Sequence, residues 1–258
     1  MRVVSLTCSN TEIVCALGCQ GLLVGVDDHS DYPVSVVKNL ARVGKDLNVD
    51  PDKVAALKPD LVLASLTVPG HEKVVESLKM RGLPLAVLQP FSVADTYADI
   101  RRIGSLLGAE KRAEILIAEM RNVLEKTPDI QGVRPRILVE WWPRPVIGAC
   151  ARSWVHDLIG AAGGENVLAD RDCESTPLTD DEVCAVAPDI VVISWCGVPT
   201  SHYRPEVVYR RENWKDVPAL RNRQVHSIPE AFLGRPGPRL VEGVIALRRL
   251  VQMFEEKE

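Results

Sequence analysis

The segment Asp52–Ser65, DKVAALKPDLVLAS, returns in the second half of the chain as Asp181–Ser194, DEVCAVAPDIVVIS. The shared pattern, D-x-V-x-A-[LV]-x-P-D-[LI]-V-[LV]-x-S, has a direct physical reading. An acid suits the positive end of a helix dipole, a short helical run follows, proline stops it, and a β-branched apolar run makes a buried strand. One copy lies on each side of a long stretch without strand signals. The repeat therefore predicts two similar α/β lobes joined by helix, with a ligand held between them.

The rest of the chain fits this frame. Strands are predicted at Val3–Leu6, Leu22–Val26, Leu61–Ala64 and Leu85–Leu88, with helices Thr11–Leu17 and His71–Arg81 among them. Ser9 and Glu12 have capping-box spacing at the head of the first helix. From Val93 to Lys126 the strand rhythm stops. Ala94–Leu107 and Glu110–Lys126 read as helices broken at Gly108, the second with Ala113, Leu116, Ile117, Met120, Val123 and Leu124 at helical spacing. At about 1.5 Å per residue, that second helix is long enough to run from one lobe to the other. Strands resume at Ile137–Glu140, Ile190–Ser194 and Val225–Ile228, with helices at Ser153–Ala162 and from Pro238 to Phe254. A β-α-β rhythm implies mostly parallel sheets covered by helices. The predicted fold is α/β, two Rossmann-like lobes joined by a long backbone helix: residues 1–92, a linking helical segment 93–130, and residues 131–258 with the terminal helix.

Composition narrows the function. Charged residues make up 26% and net charge is −4, with Lys and Arg scattered among Asp and Glu, so nucleic acid is not an expected partner. No apolar run reaches the ~18 residues of a membrane span. No P-loop, G-x-S-x-G, H-E-x-x-H or G-x-G-x-x-G occurs, and nothing else points to an enzyme. Met1-Arg2 runs straight into a strand with no export-signal pattern. The seven cysteines are odd in number and lack zinc spacing, which fits a reducing compartment. The expected location is cytoplasmic. A trimmed mature chain in the periplasm or outside the cell is the alternative.

Aromatic residues are only 5% of the chain, so their placement matters. Trp141 and Trp142 follow one predicted strand and Trp195 another, at the carboxyl ends where open α/β sheets bind ligands. They suit a flat apolar wall for a large planar ring, with Tyr203 and Phe232 in later loops. His29 and Tyr32 follow the strand Leu22–Val26. A neutral imidazole there is a candidate metal donor. Arg235, in a Gly-Arg-Pro-Gly-Pro loop, and Arg152, ahead of a helix, are candidate grips for a carboxylate, amide or phosphate. Asp52 and Asp181 head the two repeat helices at equivalent positions, which suits two-point docking to a basic partner.

Arg2–Leu6 with Asn10-Thr11-Glu12, Ala16-Leu17-Gly18, Val24-Gly25-Val26, Ser30-Asp31-Tyr32-Pro33, Ala56–Val62 and Gly163-Gly164-Glu165-Asn166 form an ordered set over essentially the whole chain. The set resembles the cobalamin-binding members of the class III ABC-transporter substrate-binding proteins, the helical backbone metal receptors. The resemblance implies a corrinoid such as cobalamin, or else haem or a ferric siderophore, as a transported ligand rather than a required cofactor, and an ABC-transporter permease as partner. It places a cobalamin-contacting tyrosine on His29, a tentative axial metal ligand here, and a ligand-gripping arginine on Arg235. The two carboxylates that dock the permease fall on Asp52 and Asp181. Asp46 stands where the cobalamin binders carry a tryptophan. A cytoplasmic corrinoid or tetrapyrrole handler, or an enzyme on the same architecture, remains the alternative reading.

Overall fold

The computed structural model describes residues 1–126, 128 and 132–256. These residues form two compact units, Met1–Pro90 with Ala94–Glu119, and Phe91–Val93 with Met120–Glu258. The expected domain boundary at residues 130 and 131 falls outside the described residues.

The first unit is built on an all-parallel sheet of β1 (Val3–Ser5), β2 (Leu23–Val26), β3 (Ala41–Arg42), β4 (Leu61–Ser65) and β5 (Leu85–Leu88), in the order β3-β2-β1-β4-β5. β4 is buried along its whole length, as an apolar run flanked by helices should be. Besides a single turn at Val34–Val37, the helices of this unit are α1 (Cys8–Ala16), α2 (Pro51–Ala56), α3 (His71–Met80), α4 (Val93–Leu106) and α5 (Glu110–Leu124), the last of which continues into the second unit.

The second unit carries a six-stranded sheet. β6 (Arg136–Pro143), β10 (Ile190–Ile193) and β11 (Val225–Ser227) are parallel, β8 (Glu165–Asn166) lies parallel to β6, and β7 (Val146–Ala149) and β9 (Ser175–Leu178) add an antiparallel edge. α6 (Trp154–Ala161), α7 (Asp180–Val186) and α8 (Leu240–Glu255) belong to this unit. The predicted architecture of two α/β lobes with mostly parallel sheets is borne out.

The repeat is a repeat of structure. α2 leads into β4, and α7 into β10. Both turns pass through a non-glycine residue with positive φ just before the proline, Lys58 at 46° and Ala187 at 40°. Proline disfavours the right-handed helical region for its predecessor, so the chain breaks the helix by crossing to the left-handed one. The repeated aspartate then clamps the neighbouring strand. Asp60 accepts from the Arg2 N–H (2.7 Å) and donates its own N–H to the Arg2 carbonyl (2.8 Å). Asp189 does the same with Arg136, at 2.8 Å for both bonds.

Three local expectations fail. The first helix starts at Cys8 behind Thr7, which has φ 75° and caps nothing with its side chain. Ser9 and Glu12 both lie inside the helix and are buried, so no capping box forms. The N-cap falls two residues earlier than expected, so Thr7 and Asn10 rather than Ser9 and Glu12 occupy the N-cap and third positions. Trp141 and Trp142 do not follow the strand but belong to it: β6 runs on to Pro143 and hairpins into β7, with an irregularity between Glu140 and Trp142. Finally, the last helix begins at Leu240 with Arg239 as its N-cap, so Pro238 lies ahead of it.

α4 and α5 meet closely. A Cβ on Gly104 would stand 2.7 Å from the Ala113 Cβ. On the same α4, burial pushes the half-buried Asp99 carboxyl up from its ordinary 3.8 to about 6, with Arg102 opposing the shift. A raised carboxyl holds its proton more tightly when folded. Its stabilising contribution is complete below about pH 3.8 and is lost as pH rises through about 6. Asp99→Asn is therefore expected to stabilise the protein by ~1–2 kcal/mol at pH 8, allowing for solvent screening. Urea unfolding should show that gain vanish at pH 3.

Candidate functional site

Each sheet presents its own carboxyl edge. In the first unit, the loop after β2 is organised by the buried Asp27. Its Oδ1 accepts from the His29 N–H (2.8 Å) and the Ser30 N–H (3.1 Å), and its Oδ2 from the Ser30 hydroxyl (2.6 Å). Arg42 donates to the carbonyls of Asp27 and Ser30, both at 2.7 Å. Burial, the largest influence, pushes the Asp27 carboxyl up against these hydrogen bonds. The result is a backbone fixed on both sides of His29, whose side chain is 43% exposed. Tyr32, in the same loop, is also exposed.

His29 Nε2 lies 3.5 Å from Asp46 Oδ1, and the other Asp46 oxygen is 3.7 Å from Nε2 of His71. His71 opens α3 and is only 3% exposed, and its ring nitrogens make no hydrogen bond. The His71 ring, above all, holds the Asp46 carboxyl below its ordinary range; burial opposes this and His29 adds to it. Asp46 thus lies between the His29 and His71 rings. Among the described residues no cluster of three or more His, Cys, Asp or Glu is arranged to hold a metal ion.

In the second unit the edge is aromatic. Half-buried Trp141 packs against buried Trp154 at 5.8 Å between ring centroids, and Trp154 donates to the Leu233 carbonyl (2.7 Å). Trp142 is exposed. Arg152 lies over the Phe91 ring at 4.8 Å, and Arg239 over the Phe232 ring at the same distance.

Trp195 and Tyr203 differ from expectation. Each is 5% exposed, inside the core, with centroids 5.6 Å apart. The Trp195 indole N–H donates to buried Glu140 (2.9 Å), and the Tyr203 hydroxyl donates to the Trp195 carbonyl (2.9 Å). Burial pushes the Tyr203 hydroxyl well above its usual range. Both residues belong to the core cluster of the second unit. Arg235 donates to Glu230 at 3.0 Å, so its guanidinium is already held.

Sequence reasoning missed the groups that organise both edges: Asp27, His71, Glu140, Arg211, Trp154 and Phe91. Asp27-x-x-Ser30 is a recognisable side-chain turn. Nothing in the sequence joins Glu140 to Arg211, whose guanidinium meets that carboxylate at 2.6 and 2.9 Å.

Asp52 and Asp181 each occupy the second position of a repeat helix and are exposed. A helix leading into a parallel strand starts at the carboxyl side of its sheet, so each acid lies on the same side as its unit's edge residues. Asp52 pairs with the exposed Arg81. Next to Asp181, Asp180 lines a recess of about 390 Å³ with Pro143–Val146, Leu178, Thr179 and Arg211.

The model of a periplasmic binding protein family matches residues 3–232. The chain belongs to that family. It is a binding protein, not an enzyme, and the sequence resemblance to ABC-transporter substrate-binding proteins is borne out. An uncharacterized ABC transporter substrate-binding lipoprotein of Bacillus subtilis, YvrC, is 31% identical over all of this chain and 82% of its own length. The vitamin B12-binding protein of Vibrio parahaemolyticus is 26% identical over 95% of this chain and 86% of its own. Among solved structures, the periplasmic heme-binding protein RhuT from Roseiflexus sp. RS-1, in apo form, superposes with TM-score 0.77 at 27% identity, over 97% of this chain and 98% of that one. Two of these relatives bear lipoprotein and periplasmic names, which agrees with the exported alternative rather than the cytoplasmic expectation. No described helix is long and apolar enough to cross a membrane.

Proposed function

We propose that the protein captures a planar metal chelate, a corrinoid or haem, outside the cytoplasm and delivers it to an ABC importer. The observation that carries this reading is His29, an exposed imidazole on a fixed loop with a carboxylate 3.5 Å from its ring. A carboxylate beside a ligating histidine orients its ring. His29 is the axial donor to the chelated metal. Tyr32, Trp141, Trp142 and Phe232 supply faces for the macrocycle, and Arg152 and Arg235 meet its carboxylate or amide side chains. Relatives named for vitamin B12 and for heme support this ligand class, and Asp52 and Asp181 are the docking acids.

The test is a visible-absorbance titration with haemin, cobinamide and cyanocobalamin. Saturable binding of at least one at micromolar concentration is expected. Silence from all three would move the assignment to ferric siderophores. With haemin or cobinamide bound, His29→Ala is expected to shift the visible bands and weaken binding by roughly tenfold or more. Unchanged bands would remove His29 as the axial donor while leaving the ligand class in place.

A further inference from the structure

We propose that Cys150 and Cys173 form a redox pair that closes to a disulfide and fixes the loop bearing Arg152. The β7–β9 ladder ends with Ala149 opposite Ser175, and the chains stay zipped beyond it. The Cys150 N–H donates to the Glu174 carbonyl (3.0 Å), the Ala151 N–H to Arg171 (3.2 Å) and the Arg152 N–H to Cys173 (3.0 Å). This pairing sets the two cysteines side by side at the end of the ladder, with both side chains in one core cluster. Cys150 is fully buried in the core of the second unit, and half-buried Cys173 packs on the same cluster. Both are free thiols in the structure. The site does not depend on which ligand the protein carries.

The chemistry needs an oxidant of the small-disulfide class, such as oxidised glutathione. The thiolate of the more accessible Cys173 attacks one oxidant sulfur, releasing one glutathione thiolate and leaving a mixed disulfide. Cys150 then loses its proton and attacks the Cys173 sulfur, expelling the second glutathione thiolate. Two protein thiols are oxidised, and one oxidant disulfide is reduced to two thiols. Burial pushes the Cys150 thiol up to about 12, so this second step is slow at neutral pH and quickens as pH rises. The closed ring contains Arg152 and α6, and it ties the antiparallel edge of the sheet to the ligand-facing loop. In a reducing compartment the pair stays open; in an oxidising one it closes.

The full chain would be incubated with oxidised glutathione at pH 8, its remaining thiols alkylated, and the digest read by mass spectrometry without reduction. The expected result is a peptide joining Cys150 to Cys173 and a melting temperature raised by roughly 5–10 °C, reversed by dithiothreitol. Cys173→Ala, at the half-buried position, should abolish both. Alkylation or glutathionylation of the two cysteines separately would overturn the proposal. So would a bridge from either one to another cysteine, or a temperature rise that persists in Cys173→Ala. Cys150→Ala provides a second check, and if it fails to fold the Cys173 variant decides alone.

Discussion

Glu140→Gln is expected to cost ~3–5 kcal/mol, the usual result of stranding one member of a buried ion pair. Glu140 is buried at the end of the β6 apolar run, where its carboxylate accepts from Arg211 at 2.6 and 2.9 Å and from the Trp195 indole at 2.9 Å. Arg211 in turn stacks on fully buried Trp214 at 4.3 Å, and that indole donates to Asp180 at 2.7 Å. Hydrogen bonds from Asn213 first, and then Trp214, hold the Asp180 carboxyl below its ordinary range. Removing the Glu140 charge takes away the carboxylate that pairs directly with the largely buried Arg211 guanidinium. Urea denaturation of Glu140→Gln, beside the double variant Glu140→Leu/Arg211→Met, separates the charge effect from packing. Most of the loss should return in the double variant, because apolar residues of similar volume replace buried pairs at little cost. A loss below about 1 kcal/mol in the single variant would mean that water reaches Arg211.

The second large effect concerns delivery. Asp52→Arg combined with Asp181→Arg is expected to abolish transporter-dependent uptake while leaving ligand affinity within about twofold, since exposed surface charges away from a contact change little. Both acids stand at the same position of matched helices, where the helix dipole favours a negative charge by ~0.3–1 kcal/mol each. Asp52 already pairs with exposed Arg81, but a surface pair is worth only ~0–1 kcal/mol and yields readily to a partner's arginine. Uptake assays in cells carrying the cognate importer, beside titrations of the purified double variant, measure the two properties separately. Loss of ligand binding in the double variant would remove the docking role. Unchanged uptake would place the docking surface elsewhere.

The two-fold α/β plan was legible because it rests on local rules. A helix, a proline stop, an aspartate and a β-branched run are read along the chain, and the repeat announced that the pattern is used twice. The Asp60 and Asp189 clamps, which reach back 58 and 53 residues, appeared only in the structure. His29, Tyr32 and Trp142 were legible as edge residues for the same reason: each lies near the carboxyl end of a predicted strand, and the structure leaves all three exposed. Trp195 and Tyr203 obeyed the same sequence rule, yet they are buried. Whether a loop after a strand faces outward or folds back depends on what fills the space beneath it, and here that is the Glu140 carboxylate and the Arg211 guanidinium.

What the sequence by itself determined is the fold class, the repeat and the side of each sheet where function should lie, because periodicity and helix-stop chemistry act over a few residues. Only the tertiary structure decided that His29, Asp46 and His71 meet, that Glu140 holds both Arg211 and Trp195, and that Cys150 and Cys173 share one core cluster. Those groups are separated by loops of variable length and paired by burial. Inside a core, an unpaired charge or polar atom costs so much that partners are chosen by proximity in space, which no local pattern encodes.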